Sequence, residues 1–245
     1  MEVHHHPHSE GKRLKHYLFE FFMLFLAVFC GFLAENQREH YVDKRHEKQF
    51  MVSLIKDLEL DTIQLNRIEK FRMDRLTDID SLTIFFSTSD HTSIPLNKYT
   101  QIRLLLGSMN FFQNSGTLDQ LKNSGGLRLI HNRSIVDSIE AYDQQVKRII
   151  VRDRYESDLG LENIQLVGKL FQNSVALKIR VDTMLLGKKI SAGQDIPING
   201  QYLDEYLNHL MTFRDLIKSN LGVQIIIKNR AINLIALIKK EYHLQ

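Results

Sequence analysis

From Tyr17 to Ala34 the chain reads Tyr-Leu-Phe-Glu-Phe-Phe-Met-Leu-Phe-Leu-Ala-Val-Phe-Cys-Gly-Phe-Leu-Ala. As an α-helix this stretch would be about 27 Å long, close to the ~30 Å thickness of the hydrocarbon core of a bilayer. Its one charged residue, Glu20, falls near an end, where a carboxylate costs far less than at the bilayer centre. The stretch therefore predicts an N-terminal transmembrane anchor.

A cleaved signal and a buried core helix are the alternatives to an anchor. A signal peptidase site needs small residues at the first and third positions before the cut, but Phe32 is third before a cut after Ala34. Cys30 suggests a lipoprotein signal, yet the preceding Phe29 is too large for that site. The strictly apolar run of about 14 residues also suits a core helix. An uncleaved anchor fits the residues best.

Small residues gather on one face of this predicted helix. Ala27, Gly31 and Ala34 fall on the same side as Glu20, almost opposite the phenylalanines. Small residues four apart let membrane helices approach closely, so this face predicts packing against a second copy or another membrane protein. The alternative is chance, since alanine and glycine are common in membrane helices. No second charge in the span supports a proton relay through Glu20.

The orientation of the anchor is predicted from the short tail before it. Lysine and arginine counts on the two sides are similar and do not decide. A short tail that precedes a single span is typical of a signal anchor, which places residues 1–16 in the cytoplasm. The large C-terminal domain would then be periplasmic, on the inner membrane of a bacterium.

Composition excludes several classes of protein. The chain carries 32 basic and 29 acidic residues, a net charge of +3, which does not indicate nucleic-acid binding. Cys30 is the only cysteine, so a disulfide framework and a cysteine-ligated zinc site are excluded. Three prolines and 12 glycines are few and favour long helices.

The rest of the chain has helical periodicity. Residues 35–49 carry charges of both signs and predict a polar helical stalk, and residues 50–245 predict an α-helical bundle domain. Period-two alternation is absent over any useful length, so the predicted fold is all-α, with an antiparallel helical bundle. The clearest apolar stripes are Ile135, Ile139, Tyr142, Val146 and Ile149, then Leu203, Tyr206, Leu210, Phe213 and Ile217, then Ile227, Ala231, Leu234 and Ile238.

Glycines and charges set the expected limits of these helices. A further stripe, Ile164, Phe171, Val175 and Ile179, lies on the same helix as the Ile135 stripe or follows a break near Gly160. Gly222 is expected to end the helix that starts at Leu203. Lys228, Asn229 and Arg230 interrupt the last apolar stripe, so we expect no second membrane span there.

The sequence holds one cluster of metal-ligating residues, at the N-terminus. His4, His5, His6 and His8 can bind zinc, nickel or copper. A flexible tail supplies no preformed geometry, however, so we expect adventitious binding and assign no metal site and no cofactor.

No catalytic motif is present, and an enzyme is not predicted. Asp57 and Asp61 could pair as carboxylates, but their helical pattern favours a solvated face. His131, Ser134 and Asp137 are close in sequence, which does not create triad geometry. Asn132 and Ser134 are better interpreted as helix caps.

Four patches resemble an uncharacterised family of single-pass α-helical membrane proteins from Bacteroidota. They are the opening His-His-His-Pro-His, the run from Tyr17 to Val28, Ala34-Glu-Asn-x-Arg-Glu-His40, and the stretch from Gly116 to Ile130. The resemblance implies an anchor with an α-helical domain and supplies no activity, ligand or catalytic residue.

The expected function is that of a membrane-anchored structural or interaction protein. It would self-associate or dock to an envelope complex through helical surfaces, with the lipid bilayer, a second copy or another membrane protein as partner. The alternative is an extracytoplasmic ligand-sensing bundle that signals through a partner, since the short inner tail holds no output module.

Overall fold

The structure, a computed structural model, describes residues 10–88, 91–171 and 195–244, with the side chains described from residue 15 onward. The described chain is all-α apart from one small sheet. The elements in order are α1 Glu10–Ser87, β1 Ser93–Pro95, α2 Leu96–Leu104, α3 Gly116–Asn123, a 3-10 helix Gly126–Leu129, α4 Arg133–Leu170, β2 Asp195–Pro197, a 3-10 helix Gly200–Tyr202, and α5 Leu203–Glu241.

Helix α1 is a single element of 78 residues, about 117 Å long. It contains no proline and only two glycines, so nothing in its sequence interrupts the backbone hydrogen bonding. The apolar stretch, the polar stalk and the first helix of the bundle therefore form one continuous rod.

Helices α1, α4 and α5 present core stripes in which buried residues recur at alternating intervals of four and three. This spacing averages 3.5 residues per turn, which is the spacing of coiled coils. Apolar members include Met51, Leu54, Leu58, Leu65, Ile68, Ile79 and Leu82 on α1; Ile135, Ile139, Tyr142, Val146, Ile149, Val167 and Leu170 on α4; and Tyr206, Leu210, Phe213, Ile217, Ile227, Ala231, Leu234 and Ile238 on α5.

The directions of the helices follow from the pairs that contact each other. Residues of α1 bond to residues of α4 that lie 81 or 84 positions later, so these two helices are parallel. Helix α5 is antiparallel to both, because Arg214 reaches Asp80 near one end and Lys239 reaches Glu59 nearer the other.

Residues 93–132, the return segment, run back along α1 to the start of α4. Lys98 bonds to Ser81, the Phe112 amide to Gln64, and the His131 amide to Glu47, so the numbers on α1 fall as those on the segment rise. The segment is antiparallel to α1 and α4, and with α5 it completes an up-down-up-down bundle. The predicted antiparallel bundle is confirmed.

The core is divided into two apolar clusters along the bundle axis. The proximal cluster, nearer the apolar N-terminal stretch, packs α1 residues 51–68 against α4 residues 135–149 and α5 residues 223–238. The distal cluster packs α1 residues 79–86 against α4 residues 166–170 and α5 residues 206–217. Ile94 of β1 and Ile196 of β2 pair directly and are buried in the distal cluster.

Some predictions about these elements are wrong. Helix α5 continues through Gly222, where the sequence predicts its end, whereas at Gly160 the first of the two alternatives holds, since α4 is one helix from Arg133 to Leu170. The predicted absence of sheet fails at β1 and β2, where three-residue strands are too short to show alternation in the sequence. The predicted stripe residue Ile164 is 45% exposed, and Val175 and Ile179 of that stripe lie outside the described residues.

Among the described helices, two are long and apolar enough to cross a membrane, Lys15–Ser87 and Gly200–Glu241. None of the apolar window of the first is buried, whereas 33% of the window of the second is buried in the bundle. By length and composition the second helix is a candidate membrane span, although it contains Lys228, Asn229 and Arg230. Its core stripe nevertheless packs in both apolar clusters.

Gly222→Ala should stabilise the protein by about 0.5–1 kcal/mol, because alanine restricts the unfolded chain and favours helix. Gly222 is exposed, and no atom lies within 4 Å of an added Cβ. Thermal unfolding of the full chain in detergent, followed by circular dichroism, measures the change. Gly125→Ala is the matched control and should destabilise, since Gly125 has a φ of +71°.

Candidate membrane anchor and buried polar layer

The apolar N-terminal stretch lies on the outside of the structure. Every large apolar side chain from Tyr17 to Leu33 is exposed, and the exposed fraction reaches 74% at Val28. Glu20, Ala27, Gly31 and Ala34 are exposed on the same helix, and no atom lies within 4 Å of an added Cβ at Gly31. An exposed apolar surface of this extent is typical of a segment that contacts lipid or protein.

The stalk joins the bundle at Glu47, whose side chain is buried. Its carboxylate accepts hydrogen bonds from the His131 amide at 2.9 Å, from His131 Nδ1 at 3.0 Å and from the Tyr242 hydroxyl at 2.6 Å. His131 lies just before α4, and Tyr242 just after α5. Glu47, within the predicted stalk, therefore ties α1 to the ends of the other two long helices. We call this arrangement the Glu47 clasp.

A buried polar layer separates the two apolar clusters, and Arg72 is its centre. The Arg72 side chain is 1% exposed and donates to Asp153 Oδ1 at 2.6 Å, to Glu156 Oε2 at 2.9 Å and to Gln224 Oε1 at 2.6 Å. The Gln224 amide in turn donates to the Leu65 carbonyl. One guanidinium thus links all three long helices.

The other members of the layer complete the pairing. Arg75 donates to the Leu105 carbonyl at 2.6 Å, and its guanidinium lies 4.6 Å from the centre of the Phe213 ring. Asn220 donates to Glu156 Oε2 at 2.7 Å. With Asp153 and Glu156 as the anions and Arg72 and Arg75 as the cations, the layer is electrically balanced.

Burial opposes ionisation at two members of this layer, Asp153 and Arg75. It raises the pKa of the Asp153 carboxyl, while the Phe111 amide and the Arg72 guanidinium oppose that shift. It lowers the pKa of Arg75 to about 10, although Glu156 favours the charged form. A buried charge of this kind is tolerated in the interior only while its oppositely charged partner is present. The bonds of the layer are internal, which indicates a structural network.

The two aspartates that the sequence placed on a solvated face are engaged in the bundle. Asp61 is buried, and it accepts from the Asn114 amide at 2.8 Å and from the Tyr142 hydroxyl at 2.6 Å. Asp57 accepts from the Thr117 amide at 3.0 Å. The solvated-face prediction is therefore wrong, because the return segment covers this side of α1.

His131 and Asp137, two residues of the suggested triad, each bond to a different partner. His131 bonds to Glu47, and Asp137 pairs with Arg133 at 3.0 Å. Asn132 is the N-cap of α4 and accepts from the Ser134 amide at 2.9 Å, as predicted.

The histidine cluster of the tail, His4, His5, His6 and His8, lies outside the described residues. Within the described ranges, no group of three His, Cys, Asp or Glu side chains is arranged to hold a metal ion.

Apolar periodicity alone does not predict the polar layer, because the residues that form it are charged or polar. Extending the four-three spacing of α1 past Ile68 reaches Arg72 and Arg75, and extending that of α4 past Ile149 reaches Asp153 and Glu156. Because these charged residues continue the spacing of the apolar stripes, their positions in the sequence predict that they are buried.

Comparison of the chain with protein-family models, with curated proteins and with solved structures finds no match.

Arg72→Met should destabilise the protein by about 3–5 kcal/mol, because Asp153 and Glu156 would remain buried without their cation. Urea unfolding of the full chain in detergent, followed by circular dichroism, measures this loss. Arg214→Met is the control: Arg214 pairs with Asp80 at 2.5 Å, but both side chains are partly exposed. Its loss should be about 0–1 kcal/mol. Equal losses for the two variants would contradict a buried layer.

His209 should make stability fall on acidification. Burial lowers its pKa, which Glu162, 3.7 Å from Nδ1, and the Leu159 backbone partly oppose. The unfolded chain therefore binds the proton first as pH falls below about 6.5, so stability present above that pH is lost as pH falls through the lowered pKa. His209→Gln should flatten the dependence of Tm on pH between about 7.5 and 5.5. His40→Gln, on the exposed stalk, should leave it unchanged.

Proposed function

We propose that this protein is a membrane-anchored structural or interaction protein that carries a helical bundle on a rigid stalk. Its partner is a second copy of the chain or another membrane protein of an envelope complex. The observation that carries the proposal is the exposed apolar stretch of residues 17–34, which continues without a break into the first helix of the bundle.

Exposure of this stretch supports the anchoring role. Thirteen large apolar side chains between Tyr17 and Leu33 are exposed. In water this surface would cost about 25 cal/mol for each Å² that lipid could cover. The length of the stretch matches the hydrocarbon core, so a bilayer is the environment that best satisfies it.

The stalk supports a role in which the bundle is held at a fixed distance. About 20 Å of helix separates Ala34 from Glu47. Between them the stalk makes local bonds, such as Arg38 to Glu35 at 2.6 Å. At Glu47 the clasp fixes α1 to α4 and α5. A tilt of the anchor would therefore be transmitted along the continuous helix to the bundle.

The small-residue face supports helix packing in the membrane. Ala27, Gly31 and Ala34 leave space for a second backbone, and Glu20 on the same face would meet a partner helix and not lipid. We assign this face to self-association or to docking on another membrane protein.

The proposed location is the inner membrane of a bacterium, as a single-pass protein. Residues 1–16 would be cytoplasmic and the bundle periplasmic. Membership of the Bacteroidota family of single-pass helical proteins is part of the same proposal. No catalytic role is proposed.

One observation favours ligand sensing as a second candidate function. An open groove of about 650 Å³ lies between α1 and α2, lined by Thr77, Ser81, Phe85 and Lys98 among others. Lys98 Nζ is fixed there by Ser81 Oγ at 2.7 Å and lies 5.4 Å from the centre of the Phe85 ring. The continuous α1 would carry a change at this groove toward the membrane.

Disulfide crosslinking in native membranes tests the proposed interface. In a Cys30→Ala background, Gly31→Cys should yield a crosslinked dimer of twice 28.7 kDa, because Gly31 lies at the centre of the small-residue face. Phe29→Cys in the same background lies on the opposite face and should yield far less. The ratio of dimer between the two variants is the measurement.

Equal yields from the two variants, or no dimer from either, would reject homotypic packing through this face. Capture of Gly31→Cys on a different membrane protein would assign the face to that partner. Anchoring is tested separately on the unmodified chain: release from membranes by carbonate, or a mature mass lacking the first thirty-odd residues, would overturn it.

A further inference from the structure

The core stripe of α4 contains no apolar residue between Ile149 and Leu166. Its four intervening positions are Asp153, Glu156, Gly160 and Asn163. Gly160 is partly exposed, and no atom lies within 4 Å of an added Cβ, so the stripe contributes no side-chain packing at that position. For about four helical turns the stripe itself therefore presents polar side chains or none, and Leu159, beside the stripe, packs on the distal cluster.

Buried polar atoms without partners concentrate at the distal side of this gap. In the described part of the chain these atoms are Arg75 Nε, Gln101 Oε1, both amide atoms of Asn163, the Tyr206 hydroxyl and His209 Nε2. Each lies at the level of the polar layer or beyond it. A buried polar group without a hydrogen bond favours states in which water can reach it.

Polar contacts hold the two ends of the bundle unequally. The proximal half has the Glu47 clasp and the buried bonds of Asp61 to Asn114 and Tyr142. In the distal half, α4 reaches α5 through Lys169 and Glu205 at 3.3 Å and through Glu162 and His209 at 3.7 Å, and three of these four side chains are about half exposed or more. Exposed pairs of this kind contribute little to stability.

We propose that the distal half of the bundle is an opening unit that separates at Gly160 while the proximal half stays packed on the anchor helix. The unit comprises α4 beyond Gly160, the β1–β2 pair and the start of α5. Opening exposes the side chains of Asn163, Tyr206 and His209 to water and leaves the proximal cluster and the Glu47 clasp intact. The device is a property of the bundle and does not depend on the proposed membrane function.

Hydrogen exchange of the full chain in detergent micelles, followed by mass spectrometry, tests the proposal. Peptides from α4 residues 163–170 and α5 residues 206–217 should exchange at least about ten-fold faster than those from residues 135–149 and 227–238. Equal rates in the two halves, or slower exchange in the distal half, would overturn it.

Variants in the gap make the test specific. Asn163→Leu removes two unpartnered amide atoms and should slow distal exchange at least about five-fold while proximal exchange stays constant. Gly160→Ala serves where Asn163→Leu does not fold, since it stiffens the same point of α4. Gly222→Ala has the same gain in helix propensity on α5 and is the control. Equal slowing of both halves by the α4 variants would show one cooperative unit and reject the proposal.

Discussion

The alternating four-three spacing of buried residues on α1, α4 and α5 is the constraint on which the rest of the structure depends. Because the spacing is kept for many turns, each stripe faces the bundle axis along its whole length. A charged residue in phase with the stripe is therefore buried like its apolar neighbours. Arg72 lies four residues after Ile68 and cannot avoid the interior, so the bundle must supply anions at the same level of α4.

The polar layer follows from that requirement and fixes the register of two parallel helices. Arg72 meets Asp153 and Glu156, which lie 81 and 84 positions later in the chain. Sliding α4 by one heptad would preserve apolar contacts along most of the stripe, but it would place Arg72 beside Val146 and Ile149. An uncompensated buried guanidinium would make that register strongly unfavourable, so the layer selects a single alignment. A uniformly apolar stripe would select less well among heptad shifts.

The sequence was sufficient for the helical class, the antiparallel bundle and most of the apolar core, because these depend on periodicity. It failed at Gly222, where a cost of about 1 kcal/mol for a helical glycine is small beside the packing of the long stripe on both sides. It failed at Asp61 for another reason. Burial of that carboxylate depends on Asn114 of the return segment, 53 positions later in the chain, and on Tyr142 of α4, 81 positions later. No local pattern contains such a contact.

The order of these features along α1 relates the bundle to its point of attachment. The stalk is a helix with local bonds, so any rotation or tilt of the apolar stretch acts on the Glu47 clasp before it acts on any other contact between the long helices. The clasp and the proximal cluster share three helices and must move together, since packed cores deform little. Beyond Arg72 the core stripe of α4 carries Gly160 and Asn163 in place of apolar residues. In the proposed opening, the half of the bundle that separates is the one farthest from the stalk, so motion there leaves the Glu47 clasp undisturbed.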